Sequence, residues 1–502
     1  MNLFDGIERF GERVAVIGDS GSISYCGLLE LSASISDLVK PRSFVFLLGQ
    51  NNPVCVAAYV GFLRRRVVPL LLSDVISGEQ LTRLINIYHP THIFVPSVRL
   101  NEFLYEYEVV GEFGNYTQAA LKFMELNTQP QQREAVVQGR SLPPIPASVY
   151  VLLRRVGVVD GEVRLHDDLG LVLTTSGSTG SPRLVRLSYK NILSNTESII
   201  RYLNITPEDR AITTMPMTYS YGLSIINTHL YCGGSVILTE LTLMERGFWN
   251  MFKEWQPSTF GGVPYIFEML KRLRFSRMEL PLLRYVTQAG GKLSSELVSE
   301  FRDICADKGV EFIVMYGQTE AAARMSYLPF EQSFDKAGSI GIAIPDGEFW
   351  LEDDAGNVIN ESNVAGELVY RGANVSMGYA EEVDDLAKAD ENGGVLRTGD
   401  IAQRDIDGYY YIVGRKKRFL KIFGNRVNLD EVDQLLKRNG YEAVSAGQDD
   451  RIRIFVTQNQ VDQIKSLLVE QLRLHPTAFD VQFIPQIPRN NSGKVIYSML
   501  PE

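Results

Sequence analysis

The sequence is poor in the residues that build disulfide frameworks, metal clusters and nucleic-acid surfaces. Its 502 residues include four cysteines and five histidines, and the formal net charge is −10. The scattered cysteines have neither metal-ligand nor redox-motif spacing, which predicts reduced thiols in a cytoplasmic protein. His89 and His92 have no cysteine or acidic ligand beside them, so structural or surface roles are favoured over a metal site. The acidic balance argues against a nucleic-acid partner, which would need a basic face.

Signals for secretion and for membrane insertion are also missing. The start, "MNLFDGIERFGERVAV", has no charged segment followed by an apolar one, so a secretory signal is not expected. The most apolar long stretch, "SFVFLLGQNNPVCVAAYVGFL", is interrupted by Gln50, Asn51, Asn52 and Pro53. This stretch therefore predicts a strand, a turn and a helix, and no membrane span.

What the chain does have is a regular alternation of short apolar runs and amphipathic stretches. "FVFLL" precedes "PVCVAAYVGFLRRR", and "VVPLLL", "SGEQLTRLINIY" and "HIFVP" follow. This order is typical of α/β layers with a mostly parallel sheet. A chain of 502 residues is too long for one core, so two or more domains are expected.

Changes in composition along the chain predict its domain organisation. Residues 1–414 are expected to form a large N-terminal domain, with α/β layered subdomains at about 1–168 and 169–337 and a small β-rich, barrel-like subdomain at about 338–414. Residues 415–502 are expected to form a small α+β domain. The Gln- and Pro-rich residues 116–148 are interpreted as a surface excursion or partly disordered insert, with partner docking as the alternative.

The first chemical motif is "TTSGSTGSPRLV", which follows the apolar run "LGLVL". Its glycines let successive backbone N–H groups point into one concavity, and its hydroxyls and Arg183 add donors and charge, which suits a triphosphate. A mobile linker loop has the same composition, so the motif alone leaves both interpretations open. It is not the Walker pattern of a P-loop kinase, because Gly180 is followed by Ser-Pro-Arg in place of Lys-Ser/Thr.

Three further motifs carry side chains suited to a nucleotide. "MYGQTEAA" places Tyr316, Thr319 and Glu320 after an apolar run, and strand ends are a usual place for ligand residues in α/β sheets. Their ring, hydroxyl and carboxylate can stack on a base, reach a phosphate and hold Mg²⁺. Asp400, in "LRTGDIAQRDIDGYYYIVGRKKR", can accept hydrogen bonds from ribose hydroxyls. Lys494 follows a turn in "PRNNSGKV", near the C-terminus.

Together these four segments, in this order and at these separations, resemble the acyl-adenylate-forming superfamily. It includes acyl- and aryl-CoA synthetases, peptide-synthetase adenylation domains and firefly-type luciferases, and the chain is most similar to its acyl-CoA ligase-like members. The resemblance extends from about residue 10 to the end. It implies activation of a carboxylic acid by ATP and Mg²⁺ to an acyl-AMP with release of pyrophosphate. Transfer to a thiol follows, usually that of CoA or of phosphopantetheine on a carrier protein.

The resemblance assigns roles to the nucleotide-binding residues. The implied phosphate loop consists of Thr175, Ser176, Gly177, Ser178, Thr179, Gly180 and Arg183. The implied adenine and ribose contacts are Gly290, Gly291, Lys292, Tyr316, Gly317, Asp400, Ile412 and Arg415. Tyr316 would stack on adenine, and Asp400 would bind the ribose hydroxyls with help from Arg415. Thr319 would meet the α-phosphate and Glu320 the Mg²⁺.

Lys494 resembles the lysine that acts in adenylation in this family. Its ammonium would lie between the substrate carboxylate and the α-phosphate and stabilise the charge of the in-line attack. A solvated tail lysine is the alternative. The family rotates its C-terminal domain between its two reactions, which implies a mobile domain with a hinge near Lys417. Rotation would withdraw Lys494 and bring in the "KIFGNRV" hairpin, with Gly424 beside the thiol tunnel.

The acyl pocket is implied by the segments "MPMTYSYGLS" and "GGVPYIFEML". Its expected residues are Tyr219, Ser220, Tyr221, Val263, Pro264 and Tyr265. Amino-acid-activating relatives carry an Asp at the position of Ser220, where it pairs with the substrate ammonium. Because a buried unpaired ammonium is costly, α-amino acids are disfavoured as substrates. The three tyrosines are either specificity contacts or packing residues.

The chain departs from the family pattern in three places. The phosphate loop of the family ends in Pro-Lys-Gly, where this chain has Arg183 and Leu184, and Leu184 would restrict the loop backbone. Tyr497 stands where the family has an arginine, and the tail domain is shorter than is typical. The prediction is an acid–thiol ligase acting on CoA, with a carrier-protein thiol as the alternative acceptor. A non-catalytic acyl-nucleotide-binding protein is disfavoured, because the charged residues of all the motifs are retained.

Overall fold

The structure is a computed structural model that describes most of the chain. The described residues are 2–19, 21–103, 105–114, 149–157, 163–174, 183–423, 425–489 and 495–501. The predicted insert 116–148 lies outside them. Gly114 and Val149, the described residues on either side of it, are paired in neighbouring antiparallel strands.

The described helices and strands alternate through most of the chain. The helices are α1 Tyr25–Ser36, α2 Pro53–Arg64, α3 Gly78–Tyr88, α4 Tyr189–Leu203, α5 Ser220–Cys232, α6 Arg246–Trp255, α7 Pro264–Arg272, α8 Ser295–Asp307, α9 Leu429–Arg438 and α10 Val461–Leu472. The strands of the N-terminal part are β1 Val14–Gly18, β2 Gly21–Ser24, β3 Phe44–Gly49, β4 Val68–Ser73, β5 His92–Pro96, β6 Tyr107–Gly114, β7 Val149–Arg155, β8 Leu169–Thr174, β9 Leu184–Ser188, β10 Arg210–Thr213, β11 Ser235–Leu238, β12 Thr259–Gly262, β13 Tyr285–Gln288, β14 Glu311–Tyr316, β15 Ser326–Tyr327 and β16 Ile342–Ala343. The later strands are β17 Glu348–Glu352, β18 Val358–Ile359, β19 Gly366–Arg371, β20 Tyr379–Ala380, β21 Val395–Arg404, β22 Tyr410–Arg415, β23 Phe419–Ile422, β24 Asn425–Asn428, β25 Ala443–Gln448, β26 Arg451–Val456 and β27 Phe479–Phe483.

One sheet has the strand order β20-β9-β8-β4-β3-β5-β7-β6. Its centre, β8, β4, β3 and β5, is parallel, and its outer strands are antiparallel. The predicted strand, turn and helix appear here as β3 and α2. Helix α2 begins where it does because Asn52 accepts a hydrogen bond from the Cys55 N–H and Pro53 occupies the first turn. Among the described residues, no helix combines the length and apolar character that crossing a bilayer requires.

A second sheet has the strand order β16-β15-β14-β13-β12-β10-β11-β1-β2. Its strands from β14 to β1 are parallel, and β1 pairs with β11 although seven of the eight strands of the first sheet lie between them in the sequence. Side chains of α1, α2 and α5 share one buried core with strands of both sheets. The helices therefore form a layer between the sheets, and sheet membership does not divide the chain at residue 168.

Two smaller units complete the molecule. An antiparallel sheet of order β18-β17-β19-β21-β22 has its own core around Phe349, Tyr370 and Tyr410. The C-terminal part contains the β23–β24 hairpin and the sheet β25-β26-β27, packed with α9 and α10 around a separate core. The predicted α/β class, with a large N-terminal domain and a smaller α+β C-terminal one, is confirmed.

Arg186 of β9 is the largest fully buried side chain. Its guanidinium donates to the carbonyl oxygens of Met377 and Tyr379 at 2.9 and 3.0 Å and pairs with Glu391 at 2.5 Å. A buried guanidinium persists only when its donors are paired. Arg186 therefore fixes the segment around β20 against the first sheet.

We expect Arg186→Met to destabilise the fold by about 3 kcal/mol, because buried carbonyls and Glu391 lose a charged donor. The measurement is the midpoint of urea unfolding followed by circular dichroism. Arg371→Met is the matched control, since the ion pair of Arg371 with Glu348 is more than half exposed on both sides and should contribute less than about 1 kcal/mol. Equal midpoints for the two variants would contradict this role of Arg186.

Candidate active site

The predicted phosphate loop connects two paired strands of the first sheet. Residues 175–182 lie outside the described residues, but Thr174 and Leu184 at its ends are paired across β8 and β9. Leu184 is fully buried and also pairs with Ala380 of β20. Leu184, which stands where the family has a glycine, is therefore a core residue of β9, and the predicted loop ends before it.

Arg183 lies between the loop and β9. Its Nε pairs with Glu381 at 3.0 Å, and its guanidinium lies 5.6 Å from the ring centre of Tyr379. This positive charge replaces the family's lysine at the end of the loop. The Arg183 guanidinium is oriented by β20 and the residue after it. The sequence alone did not predict that this segment lies beside the loop.

Glu320, the predicted magnesium ligand, lies in the short 3-10 helix Thr319–Ala321 after β14. The Tyr379 hydroxyl donates to Glu320 Oε1 at 2.8 Å, and the Ser376 N–H donates to the Glu320 carbonyl oxygen at 2.8 Å. Burial and the Glu320 carboxylate raise the pKa of Tyr379. Sequence reasoning missed Tyr379, because 59 residues separate it from Glu320 and no motif marks it.

The donors at this place fit Mg²⁺. The Glu320 carboxylate is a hard oxygen ligand that the Tyr379 hydroxyl orients, and Mg²⁺ usually completes its octahedron with phosphate oxygens and water. Among the described residues, no cluster of three or more His, Cys, Asp or Glu side chains could hold a metal ion. Mg²⁺ at Glu320 would therefore be held jointly with a bound nucleotide.

Asp400, in the middle of β21, contacts the ends of two other strands, β14 and β22. Its carboxylate is almost fully buried, and it lies opposite Arg415 across β21 and β22. Oδ1 accepts from Arg415 Nε at 3.0 Å, while Oδ2 accepts from the Tyr316 hydroxyl at 2.5 Å and from Gln318 Nε2 at 3.0 Å. Burial and the nearby Asp400 raise the pKa of Tyr316, and the Asp400 carboxylate raises that of Arg415.

The structure thus brings together three residues predicted to bind the nucleotide, Tyr316, Asp400 and Arg415. It adds a fourth, Gln318, which the sequence analysis did not identify. Gln318 lies inside the quoted motif, but an amide has no distinctive chemistry in sequence. Its amide also donates to the Thr398 carbonyl oxygen at 3.0 Å, which links the end of β14 to β21.

Lys292 donates to the carbonyl oxygen of Ile412 at 3.1 Å, so the "AGGK" segment is linked to β22. The backbone of Gly317 packs so closely on Ala323 that a Cβ would meet its carbonyl oxygen at 1.8 Å.

The acyl-pocket motif meets the nucleotide motif at Thr319. The Thr319 and Ser220 hydroxyl oxygens are 3.3 Å apart, at the start of α5. A Cβ at Gly290 would lie 2.8 Å from the Tyr219 hydroxyl and 2.9 Å from Val263, and the φ of Gly290 is +82°. Glycine at this position therefore allows both the backbone turn and the close approach of the pocket residues.

The remaining predicted pocket residues differ in how deeply they are buried. Pro264 packs against Gly291, where a Cβ would lie 3.1 Å from it. Tyr221 is buried deeper, and its hydroxyl donates to the Thr287 carbonyl oxygen at 3.0 Å. Tyr265 is 54% exposed and does not join the buried group.

Lys494 and Gly424 both lie outside the described residues. Arg489 and Val495, the described residues on either side of Lys494, form a β-bridge. Ile422 and Asn425, on either side of Gly424, are paired across β23 and β24.

Tyr497, which replaces the family's arginine, contacts the hinge region. Its hydroxyl accepts from Arg418 Nη1 at 2.8 Å, and Arg418 directly follows the predicted hinge residue Lys417. Arg418 also pairs with Asp433 at 2.5 Å, and burial raises the pKa of Asp433 to about 6. Tyr497 therefore connects the lysine-bearing end of the chain to the start of the C-terminal domain.

Comparison with known proteins places this geometry in a family. The family described as AMP-binding enzyme matches residues 3–380. Sulfoacetate–CoA ligase of Cupriavidus necator is 29% identical over 343 residues, which are 66% of this chain and 66% of that enzyme, so the chain spans just under two thirds of its length. Indoleacetate–CoA ligase of Aromatoleum aromaticum is 25% identical over 507 aligned residues, 97% of this chain and 92% of that enzyme.

A solved structure shows the same fold. The o-succinylbenzoate coenzyme A synthetase of Bacillus subtilis, in complex with ATP and magnesium ion, has a TM-score of 0.75 at 19% identity and covers 99% of both chains. The family match contains the phosphate-loop, acyl-pocket and Glu320 motifs. Because it covers most of the chain, this protein belongs to the family of AMP-binding enzymes.

Proposed function

We propose that the protein is an acid–thiol ligase. It would use ATP and Mg²⁺ to convert a small carboxylic acid to an acyl-AMP with release of pyrophosphate, and then pass the acyl group to CoA. The observation that carries this proposal is the meeting of two motifs after β14. There the Thr319 hydroxyl lies 3.3 Å from Ser220 of the acyl pocket, while Tyr316 is bonded to the predicted ribose-binding Asp400.

Each residue at this junction has a physical task. The hydrogen bond to Asp400 fixes the Tyr316 ring where adenine would stack, and Asp400 with Arg415 would bind the ribose. The Thr319 hydroxyl would orient the α-phosphate toward a carboxylate held beside Ser220, and Glu320 would hold Mg²⁺ with the phosphates. Such positioning makes the attack intramolecular in effect. Lys494 would stabilise the charge that develops on the α-phosphate.

The choice of acid and acceptor is part of the proposal. Ser220 offers no carboxylate for an α-ammonium group, which supports an acid that is not an α-amino acid. CoA is proposed as the acceptor because the similar enzymes are named as CoA ligases, and a carrier-protein thiol remains the alternative. The four free cysteines among the described residues accord with the proposed cytoplasmic location.

We expect Lys494→Ala to lower the rate of acyl-AMP formation by about 100-fold or more, because a fixed charge is lost from the transition state. Thioester formation from supplied acyl-AMP and CoA should be largely kept. The two half-reactions are measured separately, by carboxylate-dependent ATP–pyrophosphate exchange and by appearance of the acyl-thioester. The exposed Lys253→Ala serves as control. Equal loss of both half-reactions would count against this assignment of Lys494.

We expect Tyr379→Phe to raise the Mg²⁺ concentration needed for half-maximal adenylation by about 10-fold, because outer hydrogen-bond partners orient metal-binding carboxylates. The measurement is a Mg²⁺ titration of pyrophosphate exchange at fixed ATP. Tyr105→Phe is the matched control, since Tyr105 is 91% exposed. An unchanged Mg²⁺ requirement in Tyr379→Phe would show that the hydrogen bond to Glu320 does not position the ligand.

A further inference from the structure

A buried arginine behind the acyl pocket has no task in the proposed reaction. Arg324 is 3% exposed. Its guanidinium lies over the Tyr221 ring, 3.8 Å from the ring centre, and its Nη2 donates to the Ser224 hydroxyl at 3.2 Å. Its Nε is buried and has no hydrogen-bond partner among the described residues.

The charge of Arg324 is not offset by an acid of the described chain. Arg186, the other deeply buried arginine, pairs with Glu391, whereas Arg324 forms no ion pair within the described ranges. An unpaired buried charge costs several kcal/mol. A stable fold can keep such a residue when its anionic partner arrives with the ligand.

A narrow cavity lies beside this guanidinium. Its polar lining residues are Ser224, Thr228, His229, Thr259, Tyr285, Thr287 and Arg324. Burial lowers the pKa of His229 to about 4, so its ring is neutral at pH 7. Of the residues that line this cavity, Arg324 alone carries a charge near neutral pH.

Tyr221 lies between the cavity and the residues of the acyl-pocket motif. Tyr221 covers Arg324 and bonds to Thr287 of the cavity wall. The preceding residue, Ser220, contacts Thr319 where the α-phosphate would lie. The cavity itself measures about 10 Å³, so the distal end of an acid whose reacting carboxylate lies beside Thr319 would reach Arg324 by displacing the Tyr221 ring.

We propose that the acid activated by this enzyme carries a second anionic group, a carboxylate or a sulfonate, and that Arg324 is the residue that binds it. The inference rests on the proposed ligase function. The distal anion would accept hydrogen bonds from the free Nε and from a terminal nitrogen, the geometry that guanidinium groups favour with planar anions. An acid with an apolar end would leave Arg324 unpaired in the complex and would be selected against.

The test compares acids of equal length with and without the distal charge. Pyrophosphate release by the purified enzyme is measured with succinate, glutarate and 3-sulfopropanoate, and with butanoate and pentanoate. We expect kcat/KM to be at least about 100-fold higher for the acids that carry a second anion. In Arg324→Met this preference should fall to about 10-fold or less, with the monocarboxylic acids unchanged or improved.

Two controls separate specificity from folding. Arg324→Lys keeps the charge and should retain part of the preference, and the wild-type panel decides the question even if Arg324→Met fails to fold. Equal kcat/KM for both classes of acid in the wild type, or equal loss for both in Arg324→Met, would overturn the role of Arg324 and leave the ligase function intact. Absence of pyrophosphate release with every acid would contradict the ligase function itself and the inference with it.

Discussion

The carboxylate of Asp400 is the contact on which the rest of the site depends. It is almost fully buried and accepts hydrogen bonds from Arg415, Tyr316 and Gln318. These donors come from β14 of the second large sheet and from β22 of the antiparallel sheet. A buried carboxylate requires such donors, so one charge fixes the position of two sheets relative to each other. The proposed nucleotide site lies at this junction.

A second set of contacts positions the other side of the cleft. Arg186 holds the segment that carries β20, and β20 places Tyr379 against both Glu320 and Arg183. The end of the predicted phosphate loop and the carboxylate proposed to hold Mg²⁺ therefore share one support. The two residues that depart from the family pattern both contact β20. The Arg183 guanidinium lies beside the Tyr379 ring, and Leu184 is a buried residue of β9 that pairs with Ala380.

Much of the fold and the nucleotide chemistry could be predicted from sequence. Local patterns identify β3, α2 and the α/β alternation, because hydrophobic period, capping residues and proline act over a few neighbouring residues. The partner of β1 could not be predicted, since seven strands of the first sheet lie between β1 and β11 in the sequence. Tyr265 stays a predicted pocket residue, and its exposure of 54% depends on how α7 packs, which its own motif does not determine.

The sequence by itself determined which chemical groups are available and to which family the protein belongs. Glycines, hydroxyls, carboxylates and a terminal lysine keep their chemistry wherever they lie, and their order along the chain is a local property. Only the tertiary structure decided which of them meet, and it added Gln318, Tyr379 and Arg324. The roles proposed for these three follow from burial and from partners distant in the chain, such as Asp400, Glu320 and Tyr221. An amide, a phenol or a guanidinium acquires a specific function only when the fold removes water and leaves one partner within reach.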